Sequence, residues 1–305
     1  MLTLANGALF ASSIAGPRVT PKPAPILFAR APSLTPGLPV GAVLTADPSD
    51  IGGATWGTDG TTPTIAAQSV YDGVTPYRMT MTAADQWAMP AVSADAVTGD
   101  TYIAVFVGKP VSGDKIGGGV RLTSALNRVD ADVTANVASG TPTYAVTSVG
   151  IDAGSVTSHA VGLERFDGGF VRLSHIFSRT YAVANDKAYP MWSAAASGAV
   201  IDGYRCGLFK LTRPAATATA ASDTEIALSL DAAWAGWALG ATVEYRVDGG
   251  AAVAVPEPGV TLITVAGPGT YTVERREVWP DSAVPGVSPL MVGGGSSFST
   301  LWEAL

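Results

Sequence analysis

Between about residue 49 and residue 214 the chain carries no 3.6-residue apolar period longer than two turns, and this constrains the fold more than any motif does. In its place stand short apolar runs rich in β-branched and aromatic residues, separated by turn residues. Thr101-Tyr102-Ile103-Ala104-Val105-Phe106-Val107 is continuous rather than alternating, as in a strand buried on both faces, and is bounded by Gly99-Asp100 and Gly108-Lys109-Pro110. Further strands are expected at 77–82, 118–122, 143–149, 156–164, 170–177 and 200–211. So many short strands in one stretch call for a sandwich or jelly roll over 49–214.

A second unit, 215–292, opens with the small residues of Pro214-Ala215-Ala216-Thr217-Ala218-Thr219-Ala220. Val243, Tyr245 and Val247 alternate there with Glu244, Arg246 and Asp248, and Gly249-Gly250 supplies a hairpin turn. Tyr271 and Val273 alternate in the same way with Thr272 and Glu274, so this is antiparallel sheet with one buried face. Residues 231–237 fit either one helical turn or a loop, because Gly236 is interior.

Both ends read as docking elements. Seven of the 21 prolines fall between Pro17 and Pro39, which excludes helix and sheet interior and makes 1–48 an extended arm. An isolated arm cannot offset its ordering entropy, so Ile26, Leu27, Phe28 and Leu34 are expected to lie against a neighbouring subunit. In 293–305, a Gly-Ser linker precedes Phe298, Leu301, Trp302 and Leu305, spaced i, i+3, i+4 and i+7 as on one face of a short helix. Eight residues are not helical alone in water, so this peg must rest on a partner or fold back onto the second unit.

Composition narrows function. Lys plus Arg is 18 against 25 Asp plus Glu, a net charge of −7, and the basic residues are scattered, so a nucleic-acid partner is not expected. No apolar run is long enough to cross a bilayer, and Met1–Phe10 lacks the basic start of a secretory signal. The single Cys206 reads as a small core residue. Only two histidines occur, His159 and His175, with no Gly-x-Ser-x-Gly elbow beside them, so no enzyme is expected. Residues 108–115 lack the ending of a phosphate loop, and Asp130 with Asp132, like Asp59 with Asp72, falls short of a calcium loop. The sequence therefore calls for no cofactor and no metal.

Sugar binding needs flat aromatic faces ringed by polar groups. Trp56, Trp87, Tyr77, Tyr144 and Trp192 lie in or beside turns. Trp87 and Trp192 are the preferred pair, because Asp85-Gln86 and Ser193 put polar groups alongside. One such site is weak, so adhesion would need several copies acting together.

Asp72-Gly73 with Arg78-Met79-Thr80, Gly99-Asp100-Thr101-Tyr102 through Lys109, Phe170-Val171-Arg172, and Gly207-Leu208-Phe209-Lys210-Leu211 together resemble the jelly-roll, carbohydrate-binding-like modules of tailed-bacteriophage virion proteins. Phe170 stands where Trp is usual, and Lys210 where a polar or acidic residue is usual. Residues 215–292 are similar to fibronectin type III and other immunoglobulin-like modules, with 225–230, 243–247 and 269–273 as the B-, C- and F-like strands and Leu230 in place of a core Trp. The fold expected is all-β: a jelly-roll sandwich, then a smaller immunoglobulin-like sandwich, with an N-terminal arm and a C-terminal helical peg. The resemblance implies a non-enzymatic virion fibre or spike, held to other virion proteins by the arm and the peg and contacting host-surface polysaccharide. It also implies a homo-oligomer, with a trimer expected from fibre architecture alone. Two alternatives stand beside it: a ligand-free capsid-decorating or tail-accessory protein, and a secreted bacterial glycan-binding adhesin.

Overall fold

A computed structural model describes residues 40–43, 56–58, 63–71, 73–83, 86–90, 94–123, 128–149, 156–180, 187–193, 198–255, 257–280 and 297–305. The first sandwich contains β1 (Val40–Val43), β2 (Trp56–Thr58), β3 (Thr64–Ala67), β4 (Tyr77–Thr80), β5 (Trp87–Pro90), β6 (Ala94–Asp95) and β7 (Thr101–Ser112). It continues through β8 (Lys115–Thr123), β9 (Arg128–Asn136), β10 (Thr141–Val149), β11 (Val156–Arg165), β12 (Val171–Arg179), β13 (Lys187–Ser193) and β14 (Val200–Leu211). The second contains β15 (Ala216–Ser222), β16 (Glu225–Leu230), β17 (Thr242–Val247), β18 (Val253–Val255), β19 (Gly259–Thr264), β20 (Val273–Pro280), β21 (Ser297–Ser299) and β22 (Glu303–Ala304). The fold is all-β, as the sequence reading expects.

In the first sandwich, one sheet runs β11-β12-β7-β14-β4-β3 with β1 also on β14, and the other runs β10-β9-β8-β13-β5-β2 with β6 also on β13. The chain passes between the sheets at β1–β2, β2–β3, β4–β5, β6–β7, β7–β8, β10–β11, β12–β13 and β13–β14, a jelly-roll-like winding. Large rings fill the space between the sheets by lying over glycines. A Cβ on Gly118 would sit 2.5 Å from the Phe106 ring, and one on Gly203 would sit 2.9 Å from the Trp192 ring. Trp192 then meets Phe106 edge-on at 5.5 Å. β7 is buried on both faces: Tyr102, Ala104 and Phe106 point into the sandwich, while Ile103, Val105 and Val107 point outward and are equally buried.

In the second sandwich, β15-β16-β19 faces β18-β17-β20-β21, with β22 also on β20. This is the A-B-E and C′-C-F-G arrangement of a fibronectin-type module. Tyr271 Oη donates to the Gly267 carbonyl at 2.7 Å, the tyrosine corner that pins the turn into the F-like strand. That strand starts at Val273, just after the corner, rather than at 269. The hairpin turn centres on Asp248 and Gly249, at φ 49° and 69°, where the sequence suggests Gly249-Gly250. Residues 231–237 form turns that lead into a short 3-10 helix, Trp237–Leu239. Trp234 and Trp279, 5.3 Å apart edge-to-face, fill the core.

The C-terminal helical peg is corrected. Residues 297–304 form two strands on β20, with Trp279 opposite Phe298 and Glu274 opposite Ala304. The open edge of β20 offers backbone partners that an eight-residue helix could not match. Phe298 enters the core, Leu301 is half-buried, and Leu305 stays exposed. Trp302 lies under the Arg246 and Arg276 guanidiniums, 4.4 and 4.5 Å from its ring centre. The tail is therefore the G-like strand of the second sandwich. At the other end, Val40–Val43 pairs with β14 and so belongs to the first sandwich rather than to an arm. Ile26, Leu27, Phe28 and Leu34 lie outside the described residues.

A buried charge network fixes the joint between the sandwiches. Glu277 is fully buried and accepts from Arg275 at 2.9 Å and from Thr300 at 2.6 Å, with Arg213 at 3.2 Å. Arg213, on the connection after β14, also donates to the Gly99 carbonyl at 2.8 Å and to Glu303 at 3.0 Å. One guanidinium thus ties a turn of the first sandwich to the F- and G-like strands of the second. Trp234 adds a hydrogen bond to the Thr212 carbonyl at 3.1 Å, and His159 packs against Phe298 at 5.8 Å.

Candidate functional site

Strand alternation sorts the candidate rings. On β13, Trp192 faces inward, and its cross-strand partner Ala88 on β5 shares that face. Trp87 therefore faces outward with Ser193. On β8, Val120 and Leu122 face the core, which puts Arg121 on the opposite face, across from Tyr189 of β13, where it is nonetheless buried at 6% exposure. The Arg121 guanidinium lies 3.6 Å from the centre of the half-buried Trp87 ring. This cation–π stack, with half-buried Tyr189 on the next strand, is the aromatic platform of the second sheet's outward face. Two residues along β8, Gly119 is opposite Asp132 of β9. A Cβ on Gly119 would sit 2.2 Å from Asp132 Oδ1, so only glycine lets the carboxylate lie across the strand there.

The remaining rings do not join this platform. Trp192 is fully buried and offers no ring face to a ligand, which overturns its candidacy. Tyr144 packs against the same core and meets the His175 ring at 5.0 Å; burial pushes its hydroxyl up to about 12, with Asp132 adding to the effect. Tyr77 is half-buried on the rim of the core. Gln86 is buried and spends its amide on the turn, accepting from Thr82 N at 2.7 Å and donating to Thr82 Oγ1 at 3.0 Å. The Trp56 side chain lies outside the described ones. Sequence reasoning selects Trp87 and misses Arg121 and Tyr189, whose signal is outward alternation on β8 and β13.

The residues of the loose phage-like motifs meet as structural anchors. Lys109 Nζ sits 3.9 Å from the Phe170 ring centre and 5.3 Å from that of Tyr71, and burial lowers its pKa. Arg78 grips Asp202 through two bonds of 2.7 and 2.8 Å. Lys210, in the position unusual for the pattern, is ion-paired with Asp100. Cys206 is a core residue whose thiol burial pushes up to about 12.

Both histidines are held neutral. Burial lowers His159 to about 4, with the Arg213 charge adding to it, and lowers His175 to about 3, with His159 adding to it. Ser158 Oγ lies 3.0 Å from His175 Nε2, yet His175 Nδ1 is buried with no acceptor among the described residues. Among the described residues the pair therefore lacks the carboxylate of a triad, and His175 is fully buried. Among the described residues no three His, Cys, Asp or Glu side chains converge as metal ligands, and no helix is long and apolar enough to cross a membrane.

No family model matches the chain, and no curated protein matches it. Solved structures to which the chain is similar include the CBM22-1 xylan-binding domain of Paenibacillus barcinonensis Xyn10C, at 14% identity and TM-score 0.31, over 57% of this chain and 97% of that one. The CBM22-1-CBM22-2 tandem of the same protein is similar at 12% identity and TM-score 0.33, over 89% and 92% of the two chains. The adhesin domain of Epf from Streptococcus pyogenes is similar at 9% identity and TM-score 0.28, over 87% and 97%.

Proposed function

We propose that this chain is a non-enzymatic attachment protein, a fibre or spike component of a tailed-phage particle whose jelly-roll domain touches host-surface glycan. The observation that carries the binding reading is the outward Trp87–Arg121 stack beside Tyr189. A pyranose can lie along the half-buried Trp87 and Tyr189 rings, while the buried Arg121 stacks on Trp87 and fixes the plane of its indole. The phage setting is supported by the motif resemblance of 72–211. The joint at Arg213 and Glu277 suits a projecting role, because it holds the binding face at a set angle to the second sandwich.

A glycan array probed with the full chain and with Trp87→Ala tests the binding reading: signal on host-surface polysaccharide that the variant loses supports it. A blank array means a ligand-free decorating protein. Antibody labelling of purified particles tests the setting; label absent from particles, with the chain found in bacterial medium with a processed N-terminus, assigns the same face to a secreted adhesin.

A further inference from the structure

We infer that β19 is the edge through which two copies of this chain pair. β19 is an outer strand of its sheet, hydrogen-bonded to β16 on one side only among the described residues, so the other row of backbone donors and acceptors is open. Outer strands are ordinarily guarded by lysine, proline, a bulge or brevity. Here Gly259-Val260-Thr261-Leu262-Ile263-Thr264 holds six residues in unbroken register with β16 and contains no charge and no proline. Two of its three outward side chains are apolar, Val260 at 67% exposed and Leu262 at 57% exposed, with Thr264 the third. Val253 on β18, just before β19 in the chain, is exposed as well. By contrast β15, the other outer strand of the sheet, contains only alanine, threonine and serine.

The occupant that fits is a second copy. Val260 and Leu262 flank Thr261, so the strand reads alike in both directions, and an antiparallel pair centred on Thr261 sets Val260 of one copy against Leu262 of the other, twice. Charge favours the same place. The chain carries a net −7, so most faces of two copies repel, whereas from Ala251 to Val265 the only charged residue is Glu257. Pairing joins two three-stranded sheets into one of six strands, with both first sandwiches free.

Light scattering of the full chain across a concentration series tests this, with the Leu262→Lys and Val260→Lys variants beside it. Both side chains are exposed, so the variants should melt with the wild type. The expected result is a two-fold fall in mass in each variant and no change in a Thr217→Lys control on β15. A wild-type chain that stays at the mass of one copy overturns the inference, as does an assembly whose mass neither variant changes. Should Leu262→Lys melt early, Leu262→Thr takes its place and the two-fold criterion stands. The inference goes beyond the glycan reading: a blank glycan array leaves it intact, and a monomeric chain leaves Trp87 untouched.

Discussion

The first sandwich buries long strands on both faces and closes around glycines, with Trp192 and Phe106 lying where any Cβ on Gly203 or Gly118 would collide. The second uses strands of up to eight residues with one buried face, and the inward row of its β20 includes Arg275 and Glu277 beside Val273 and Trp279. One domain is ordered by apolar interlock and the other, at its joint face, by charge that only a complete partner set can satisfy. The two should therefore fail in different ways.

The largest expected effect lies at the joint. Glu277→Ala leaves Arg213 and Arg275 without their buried carboxylate and should cost about 3–5 kcal/mol in denaturant unfolding. A cost below about 1 kcal/mol would show that water reaches the network and that the contrast is false. Trp192→Ala should cost about 3–5 kcal/mol through the cavity it leaves. Trp87→Ala removes a half-buried ring and its Arg121 stack and should cost about 0.5–2 kcal/mol, less than Trp192→Ala, which sharpens the separation of core ring from platform ring.

Acid should act next. Both histidines titrate lower in the folded chain, at about 4 and about 3, than in the unfolded chain. The unfolded state then binds more protons in acid, so their contribution to stability is whole above the unfolded value of about 6.5 and is lost as pH falls through about 4 and 3. Thermal melts from pH 7 to 4 should fall steadily, and His159→Gln should flatten part of that slope; an unchanged slope contradicts the assignment. A smaller loss follows from overpacking: Gly118→Ala meets the Phe106 ring at 2.5 Å and should cost about 1–3 kcal/mol.

Much of this was legible in the sequence. The apolar run at 101–107 announces a strand buried on both faces, and alternation at 243–247 announces one with a single buried face. The tail was not legible, because Phe298, Leu301, Trp302 and Leu305 fit a helical stripe, and only the open edge of β20, a long-range feature, turns them into strands. Trp87 and Trp192 look alike in sequence beside polar neighbours. Their opposite fates are set by the register of β5 against β13, which no local spacing states. Arg121 escaped for the same reason: its partner ring is 34 residues away in the chain and meets it only across the intervening strand β13.

The central claim is that the outward Trp87–Arg121 face holds glycan while the chain transforms nothing. Its most direct test is retention of the full chain on immobilised host-surface polysaccharide, followed by analysis of that polysaccharide for cleavage. The account predicts retention by the wild type and by Trp302→Ala, which alters an outward ring of the second sandwich, loss of retention by Trp87→Ala, and intact polysaccharide throughout. Retention that survives Trp87→Ala, or shortened polysaccharide after contact with the wild type, would contradict it.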